Sequence, residues 1–319
     1  MRNIEETVTA LKSGAAAHRA LLKSIYGFNG DEHIIFMNGG LGNQMFQYFF
    51  YKWLSREIKA PVIVDDTYFF VEKKHNGLEL ENIFGFKLVK LSDVLPKDVF
   101  SDMLERRAAG EAVPEQLYQA GYPISVIGEF NAPEFSGAIT WQPGFYPVCA
   151  RNKGMLYYHM YNLDARYLKI LAENGDFSGK IFPDGLDEKN LNYAKAIKST
   201  ESVALHIRRG DFVTLGWAMD IAAYNQAISV MNNHVQNPVY FIFSDDLDYC
   251  REHLAELGLE NNETVFVEGN VAPNNYRDLQ LMIMCKHRIV NNSSFCYLAA
   301  LLREGDGLVL NMNPSREVI

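Results

Sequence analysis

SVALHIRRGDF (Ser202–Phe212) is the stretch whose reading decides the fold. It opens as an apolar, β-rich run and breaks into two arginines, a glycine and an aspartate, so a strand hands over there to a loop. PVYFIFSDD (Pro238–Asp246), ETVFVEGN (Glu263–Asn270), HRIVNNSS (His287–Ser294) and GLVLNM (Gly307–Met312) are further β-rich runs. Helical spacing fills most of the gaps between them. Leu247, Cys250, Leu254 and Leu257 form one stripe, and Leu279, Met282 and Ile283 form part of another. The earlier half alternates in the same way. HIIFMNGG (His33–Gly40) reads as a strand, and Met45–Phe50 with Trp53 and Leu54 reads as the helix after it. PVIVDD (Pro61–Asp66), FKLVKL (Phe86–Leu91) and ISVIGEF (Ile124–Phe130) are the other strand candidates, while the aromatic, Gly- and Pro-rich middle from Asn131 to Asp187 resists assignment. Alternation in both halves predicts two α/β units with mostly parallel sheets.

The chain has 319 residues, long enough for two domains and for a core that needs no staples. Its net charge of −9 argues against nucleic acid as the main partner, because neutralising a phosphate backbone needs a basic face. A local basic pocket for one small phosphorylated ligand remains compatible with that charge. Cys149, Cys250, Cys285 and Cys296 show no C-x-x-C pairing and sit in apolar stretches, so buried thiols in a reducing compartment are expected rather than disulfides or zinc. Neither a secretory signal nor an apolar run near the ~20 residues of a spanning helix is visible, and a soluble, cytoplasmic protein is expected. Residues 1–30 read as a helical appendage, with Ile4, Val8, Leu11, Ala15, Leu22 and Ile25 on one face. Arg2, Lys12, Arg19 and Lys23 against Glu5 and Glu6 give it +2, leaving −11 for the rest, so it suits either peripheral association with an anionic membrane or docking on its own domain. Docking is the commoner arrangement. The expected division is 1–30, 31–195 and 196–319.

In open parallel sheets ligands bind beyond the carboxyl ends of the strands. That rule selects four segments. Asn38–Gln44 is a glycine-rich turn opening a helix, whose amides could face an anion or simply make a tight turn. It lacks the spacing of a dinucleotide fingerprint and the Gly-Lys-Ser/Thr of a P-loop. In His206–Asp211, strand alternation puts His206 and Arg208 on one face and Arg209 on the other. An arginine inside an apolar run demands an anionic partner, either a ligand phosphate or an intramolecular carboxylate such as Asp211, and Arg209 is the better fit for the internal pair. In Ser244–Asp246, Asp245 or Ser244 could cap the next helix or face a ligand. Asp246-Leu247-Asp248 also spells a D-x-D, for which capping is the better account. In Asn291–Phe295, Ser293 and Ser294 precede an apolar helix, forming either an anion site or an N-cap.

GGLGNQMFQY (Gly39–Tyr48), HIRRGDF (His206–Phe212), FSDD (Phe243–Asp246) and DLQLMIMCKHRIVNNSSF (Asp278–Phe295), in that order, resemble glycosyltransferase family 11, the alpha-1,2-fucosyltransferases. The resemblance covers most of the chain after residue 34. It implies a GT-B architecture, two Rossmann-like domains facing across a cleft, with GDP-fucose held mainly by the C-terminal one. Arg208 would bind the donor pyrophosphate, with Asn292, Ser293, Ser294 and Phe295 assisting. Asp245 and Asp246 would lie near the nucleoside, and His206, Arg209 and Ser244 would also bind substrate. Gly40, Gly42, Asn43 and Gln44 would close the cleft from the other domain. The chain departs from the family in its leading 30 residues, in Cys296-Tyr297-Leu298 where tryptophans are usual, and around Gly128-Glu129-Phe130.

The implied reaction is inverting transfer of L-fucose from GDP-fucose to the 2-hydroxyl of a terminal galactoside in a glycan, with no cofactor and no metal. Asp211 is the first candidate for the base, against a role anchoring Arg209; Glu129 and His206 are weaker ones. Three alternatives stand beside this: another sugar-nucleotide transferase, including one using a metal at Asp246 and Asp248; a non-catalytic sugar-nucleotide or carbohydrate-binding protein; and a nicotinamide dehydrogenase, which the missing fingerprint disfavours.

Overall fold

A computed structural model of the chain describes residues 17, 20–21, 24–72, 75–128, 139–140, 154–161, 163–175, 181–182 and 185–313. The first half runs β1 (His33–Phe36), α1 (Leu41–Glu57), β2 (Val62–Asp65), α2 (Thr67–Val71), α3 (Glu79–Phe84), α4 (Leu91–Val94), α5 (Lys97–Ala108), α6 (Val113–Gln119), β3 (Ile124–Gly128), β4 (Ile139–Thr140) and β5 (Met155–His159). The second half runs α7 (Ala165–Glu173), α8 (Glu188–Ser199), β6 (Glu201–Ile207), α9 (Gly210–Thr214), α10 (Ile221–His234), β7 (Pro238–Ser244), α11 (Leu247–Glu252), α12 (Leu254–Leu257), β8 (Glu263–Phe266), α13 (Tyr276–Met284), β9 (His287–Val290), α14 (Ser294–Leu301) and β10 (Val309–Asn311). Among the described residues no helix is long and apolar enough to cross a membrane.

Two compact units result. The first comprises Met1–Gly40, Phe46–Asn82 and Phe86–Asn162; the second comprises Leu163–Ile319 together with Leu41–Met45 and Ile83–Gly85. Each carries a five-stranded sheet, in the orders β2-β1-β5-β3-β4 and β10-β9-β6-β7-β8. Every pairing in both is parallel, as the alternation of strand and helix predicts.

In the first unit Ile34, Phe36, Ile63, Met155 and Tyr157 point to one face and pack with Phe100, Met103, Val113 and Leu117. Tyr26 and Phe28, from the expected appendage, join this core against Tyr122. That docks the end of the segment on its own domain; most of residues 1–23, including Ile4, Val8, Leu11 and Ala15, lie outside the described residues. FKLVKL is not a strand. It contributes a single bridge, Val64 to Lys90, before turning into α4. β5 comes out of the unassigned middle and is central, flanked by β1 and β3.

In the second unit Val203, Leu205, Ile207, Tyr240, Ile242 and Ile289 form one core face with Tyr224, Ile228 and Met231 of α10. The boundary expected at 195/196 falls inside this unit, because α8 supplies the buried residues Ala194 and Ile197 and packs beside α13 and β6. The stripe Leu247–Leu257 is broken at His253 into α11 and α12. Cys250, Cys285 and Cys296 are free buried thiols, and Cys149 lies outside the described residues.

Burial shifts carboxyl and imidazole groups in opposite senses. Asp66, beside Asp65 and bonded to Ser92, is pushed up to about 6, as is Asp278, which accepts a hydrogen bond from Asn270. His33 and His206 are pushed down to about 4. A raised carboxyl stabilises the fold below its unfolded pKa and loses that contribution as pH rises through about 6. A lowered imidazole contributes above its unfolded pKa and loses that as pH falls through about 4. Asp66→Asn should therefore isolate one arm: the stability of the wild type relative to the variant falls by up to ~3 kcal/mol between acid and neutral pH, measured by denaturant titration across that range.

Candidate functional site

β6 and β7 end side by side, with Ile207 opposite Ser244, so both chains leave the sheet at one level. Ser244 Oγ donates to Ile207 O (2.7 Å) and accepts from Asp246 N (3.0 Å), tying the two exits together. Arg208 is the first residue beyond β6. Its guanidinium meets Asp245 at 2.9 Å and Asp211 at 2.8 Å, and its side chain is 30% exposed. Asp245 Oδ1 also accepts from Arg209 N (2.8 Å). Glycine next in line leaves room for this: a Cβ on Gly210 would lie 2.4 Å from Asp245 Oδ2 and would push that carboxylate aside.

Arg209 turns the other way, as alternation requires. Its Nε bonds Asp246 Oδ2 (3.3 Å) and its guanidinium lies 3.3 Å from the centroid of the Tyr249 ring. The expectation that Arg209, more than Arg208, takes the internal ion pair is corrected in part. Both are paired, and Asp211 holds Arg208, not Arg209. The physical reason is the one-turn helix α9, which brings residue 211 back over residue 208.

Capping of α11 falls to Asp246, whose Oδ1 accepts from Tyr249 N (3.1 Å), rather than to Ser244 or Asp245. The D-x-D reading does not fit this geometry. Both Asp246 oxygens are engaged by Tyr249 N and Arg209, while Asp248 sits exposed beside Arg251 (3.0 Å). Among the described residues no group of three or more His, Cys, Asp or Glu could hold a metal ion.

The exit of β9 is joined to β6 by Asn291, which is wholly buried. Its Nδ2 donates to His206 O (2.7 Å) and to Tyr224 Oη (2.9 Å); its Oδ1 accepts from Ser293 N (2.9 Å) and from Cys296 Sγ (2.9 Å). Ser293 caps α14 by accepting from Phe295 N (3.3 Å). Ser294 is half-buried, and its hydroxyl makes no bond among the described residues. The His206 ring lies 5.9 Å from the Phe295 ring. His206 is buried with Nδ1 unpartnered among the described residues; burial, reinforced by the Arg208 charge, keeps it neutral down to about pH 4. Asn292 Nδ2 donates to Trp217 O (2.7 Å).

Gly40 precedes α1 as a cap without a side chain, and Gly39 takes a left-handed φ of 76° in the same turn. Leu41–Met45 group with the second unit, and Gly42 explains why: a Cβ there would lie 2.6 Å from Phe295 N and 2.8 Å from Ser294 Oγ. Gly42 thus serves close approach to the start of α14. Asn43 is half-buried and Gln44 fully buried. Glu129 lies outside the described residues.

Two side chains that build this site escaped the sequence reading. Asn291 stands in a quoted motif, but nothing in the string distinguishes the buried asparagine from its half-exposed neighbour. Tyr224 reads as one more apolar helix residue.

The sequence profile described as glycosyl transferase family 11 matches residues 155–317. The chain is 34% identical over 136 residues to an alpha-1,2-colitosyltransferase of Escherichia coli, covering 40% of this chain and 45% of that one. It is 25% identical over 114 residues to galactoside 2-alpha-L-fucosyltransferase Sec1 of Mus musculus, covering 34% of this chain and 30% of that one. It is 26% identical over 284 residues to the O-antigen biosynthesis glycosyltransferase WbnK of Escherichia coli, covering 83% and 88% respectively. The chain therefore matches less than half the length of the first two relatives.

Asn291→Ala removes two donors and an acceptor from a dry site, so denaturant unfolding should register a loss of about 2–4 kcal/mol. Asn292→Ala, which gives up one bond at a half-exposed position, should cost under about 1 kcal/mol.

Proposed function

The chain belongs to glycosyl transferase family 11, and on that premise we propose that it moves L-fucose from GDP-fucose to the 2-hydroxyl of a terminal galactoside, inverting the anomeric carbon. The observation that carries this reading is the placement of Arg208: beyond the carboxyl end of β6, half-buried, between two carboxylates, with the start of α14 tied to the same strand through Asn291. Partly exposed ion pairs contribute about 0–1 kcal/mol, whereas a charge-assisted bond to phosphate contributes roughly 1.5–3 kcal/mol. A diphosphate can therefore take over guanidinium donors now given to Asp211. The Ser294 hydroxyl and the amide end of α14 add further donors. The nucleoside would run toward β7, where Asp245 and Asp246 stand.

In the transfer, the acceptor oxygen bonds to fucose C1 as the C1–O bond to the β-phosphate breaks. The electron pair leaves with GDP, so negative charge grows on that phosphate in the transition state. Fixed donors aimed there lower the barrier more than they tighten ground-state binding. The acceptor proton would go to a carboxylate. Asp211 suits this step once the diphosphate has released it from Arg208. The donor set supplies the electrophilic assistance a metal would give, so we assign no metal to the reaction. The relative named as an alpha-1,2-colitosyltransferase makes a colitosyl donor the second reading, to be assayed in parallel.

Arg208→Ala should weaken GDP binding by about a hundredfold and abolish transfer while the far-UV spectrum is kept, measured by calorimetry and by GDP release. Full activity in that variant would remove the assignment, and loss of wild-type activity in excess EDTA would restore a metal-dependent reading.

A further inference from the structure

Next to Arg208 the chain makes a turn that leaves a large aromatic uncovered. α9 ends in a Schellman arrangement. Trp217 N donates to Phe212 O (2.8 Å), Gly216 N donates to Val213 O (3.2 Å), and Gly216 holds a left-handed φ of 70°. Such a turn ordinarily buries the apolar residue that follows the glycine against the helix's last turn. Here Trp217 meets Phe212 edge-on, with ring centroids 5.7 Å apart, yet remains 55% exposed. Its main chain is held on the other side by Asn292 Nδ2. The main chain of Trp217 is thus held at both its N–H and its carbonyl, and the indole rests edge-on against Phe212 while half its surface stays in water. An unfixed surface tryptophan would carry less meaning; a pre-positioned one is a recognition surface that loses little entropy on binding.

We propose that Trp217 is the platform on which the pyranose ring of the acceptor stacks, a reading that rests on the transferase function above. The order of strands decides which ring it takes. Arg208 leaves the central strand β6; Asp245 and Asp246 follow β7 on one side, and Asn292, which holds Trp217, follows β9 on the other. A diphosphate centred on Arg208 with its nucleoside toward β7 presents its sugar end toward β9. The ring beside Trp217 is therefore on the reacting side, and the guanine is not. Phe212 links the two ends physically: the Arg208 guanidinium lies 5.7 Å from its ring centroid, and Trp217 packs on the same ring. Galactopyranose, whose axial 4-hydroxyl gathers the C3, C4 and C5 hydrogens on one face, offers an apolar face to an indole; glucopyranose offers a less continuous one. Trp217 is accordingly a specificity residue for galactosides over glucosides.

The chain has three tryptophans, Trp53, Trp141 and Trp217, so emission can be assigned by substitution. With GDP at saturation, methyl β-galactoside should perturb the emission of the wild type and of Trp53→Phe in a saturable way, and methyl β-glucoside should do so more weakly. The signal should vanish in Trp217→Phe. In steady-state transfer, Trp217→Ala should raise the acceptor KM by about tenfold with the donor KM unchanged, and Trp217→Phe should restore most of it. A galactoside signal that survives in Trp217→Phe overturns the proposal, as does an unchanged acceptor KM in Trp217→Ala or a rise shared equally by donor and acceptor. If the wild type neither releases GDP nor forms product, the transferase reading fails by itself, and the fluorescence titration still decides whether Trp217 receives the sugar.

Discussion

One buried amide ties the second unit's strand ends together. Asn291 bonds the carbonyl of His206, the hydroxyl of Tyr224, the amide of Ser293 and the thiol of Cys296, so a single side chain fixes the exit of β6 against the start of α14. Each of those groups is removed from water, and each would be costly to leave unmade. The cap on α14, the level at which Arg208 leaves the sheet and the burial of His206 all follow from this arrangement. A carboxylate in its place could not donate to the His206 carbonyl, and a leucine would strand four polar groups.

Around that hub the charges divide into a fixed pair and an adaptable one. Arg209 is pressed on the Tyr249 ring and bonded to Asp246, which also caps α11; it holds the β6 and β7 exits in register. Arg208 is more exposed to solvent, and its partners are exposed too, Asp211 on the one-turn helix α9 and Asp245 in the bend after β7. Ion pairs of the second kind exchange readily for a better anion. The difference between two adjacent arginines is thus one of surroundings, set by which face of the strand each continues.

Much of the fold was legible in the string because buried parallel strands write themselves as unbroken apolar runs. β1, β2, β3, β7, β8, β9 and β10 fall within the apolar runs named above, and β6 begins one residue earlier, at Glu201. The misses have separate causes. FKLVKL has the composition of a strand but pairs only once, at Val64, because α4 begins at Leu91. β5 was hidden in an aromatic-rich segment whose central place in the sheet depends on β1 and β3 arriving from far away in sequence. The second unit begins at Leu163 rather than after residue 195, since helix α8 gives its buried residues to the second sheet although it precedes that sheet's first strand. At the site, the motif positions were all visible, while the division of labour among Ser244, Asp245 and Asp246 was not.

The sequence by itself determined the two α/β units, the parallel character of their sheets, the four strand-end motifs and the family to which they point. These are local matters: apolar periodicity, glycine turns and the residue types that leave a strand are all carried by neighbours in the chain. Only the tertiary structure decided which carboxylate faces which arginine, that Asn291 is buried while Asn292 is not, and that Trp217 is pinned yet uncovered beside Phe212. The Asp245 and Asn291 contacts depend on groups 36 and 85 positions apart meeting in space, and even the short-range pairs, Asp211 on Arg208 and Trp217 on Phe212, depend on how the chain turns after β6.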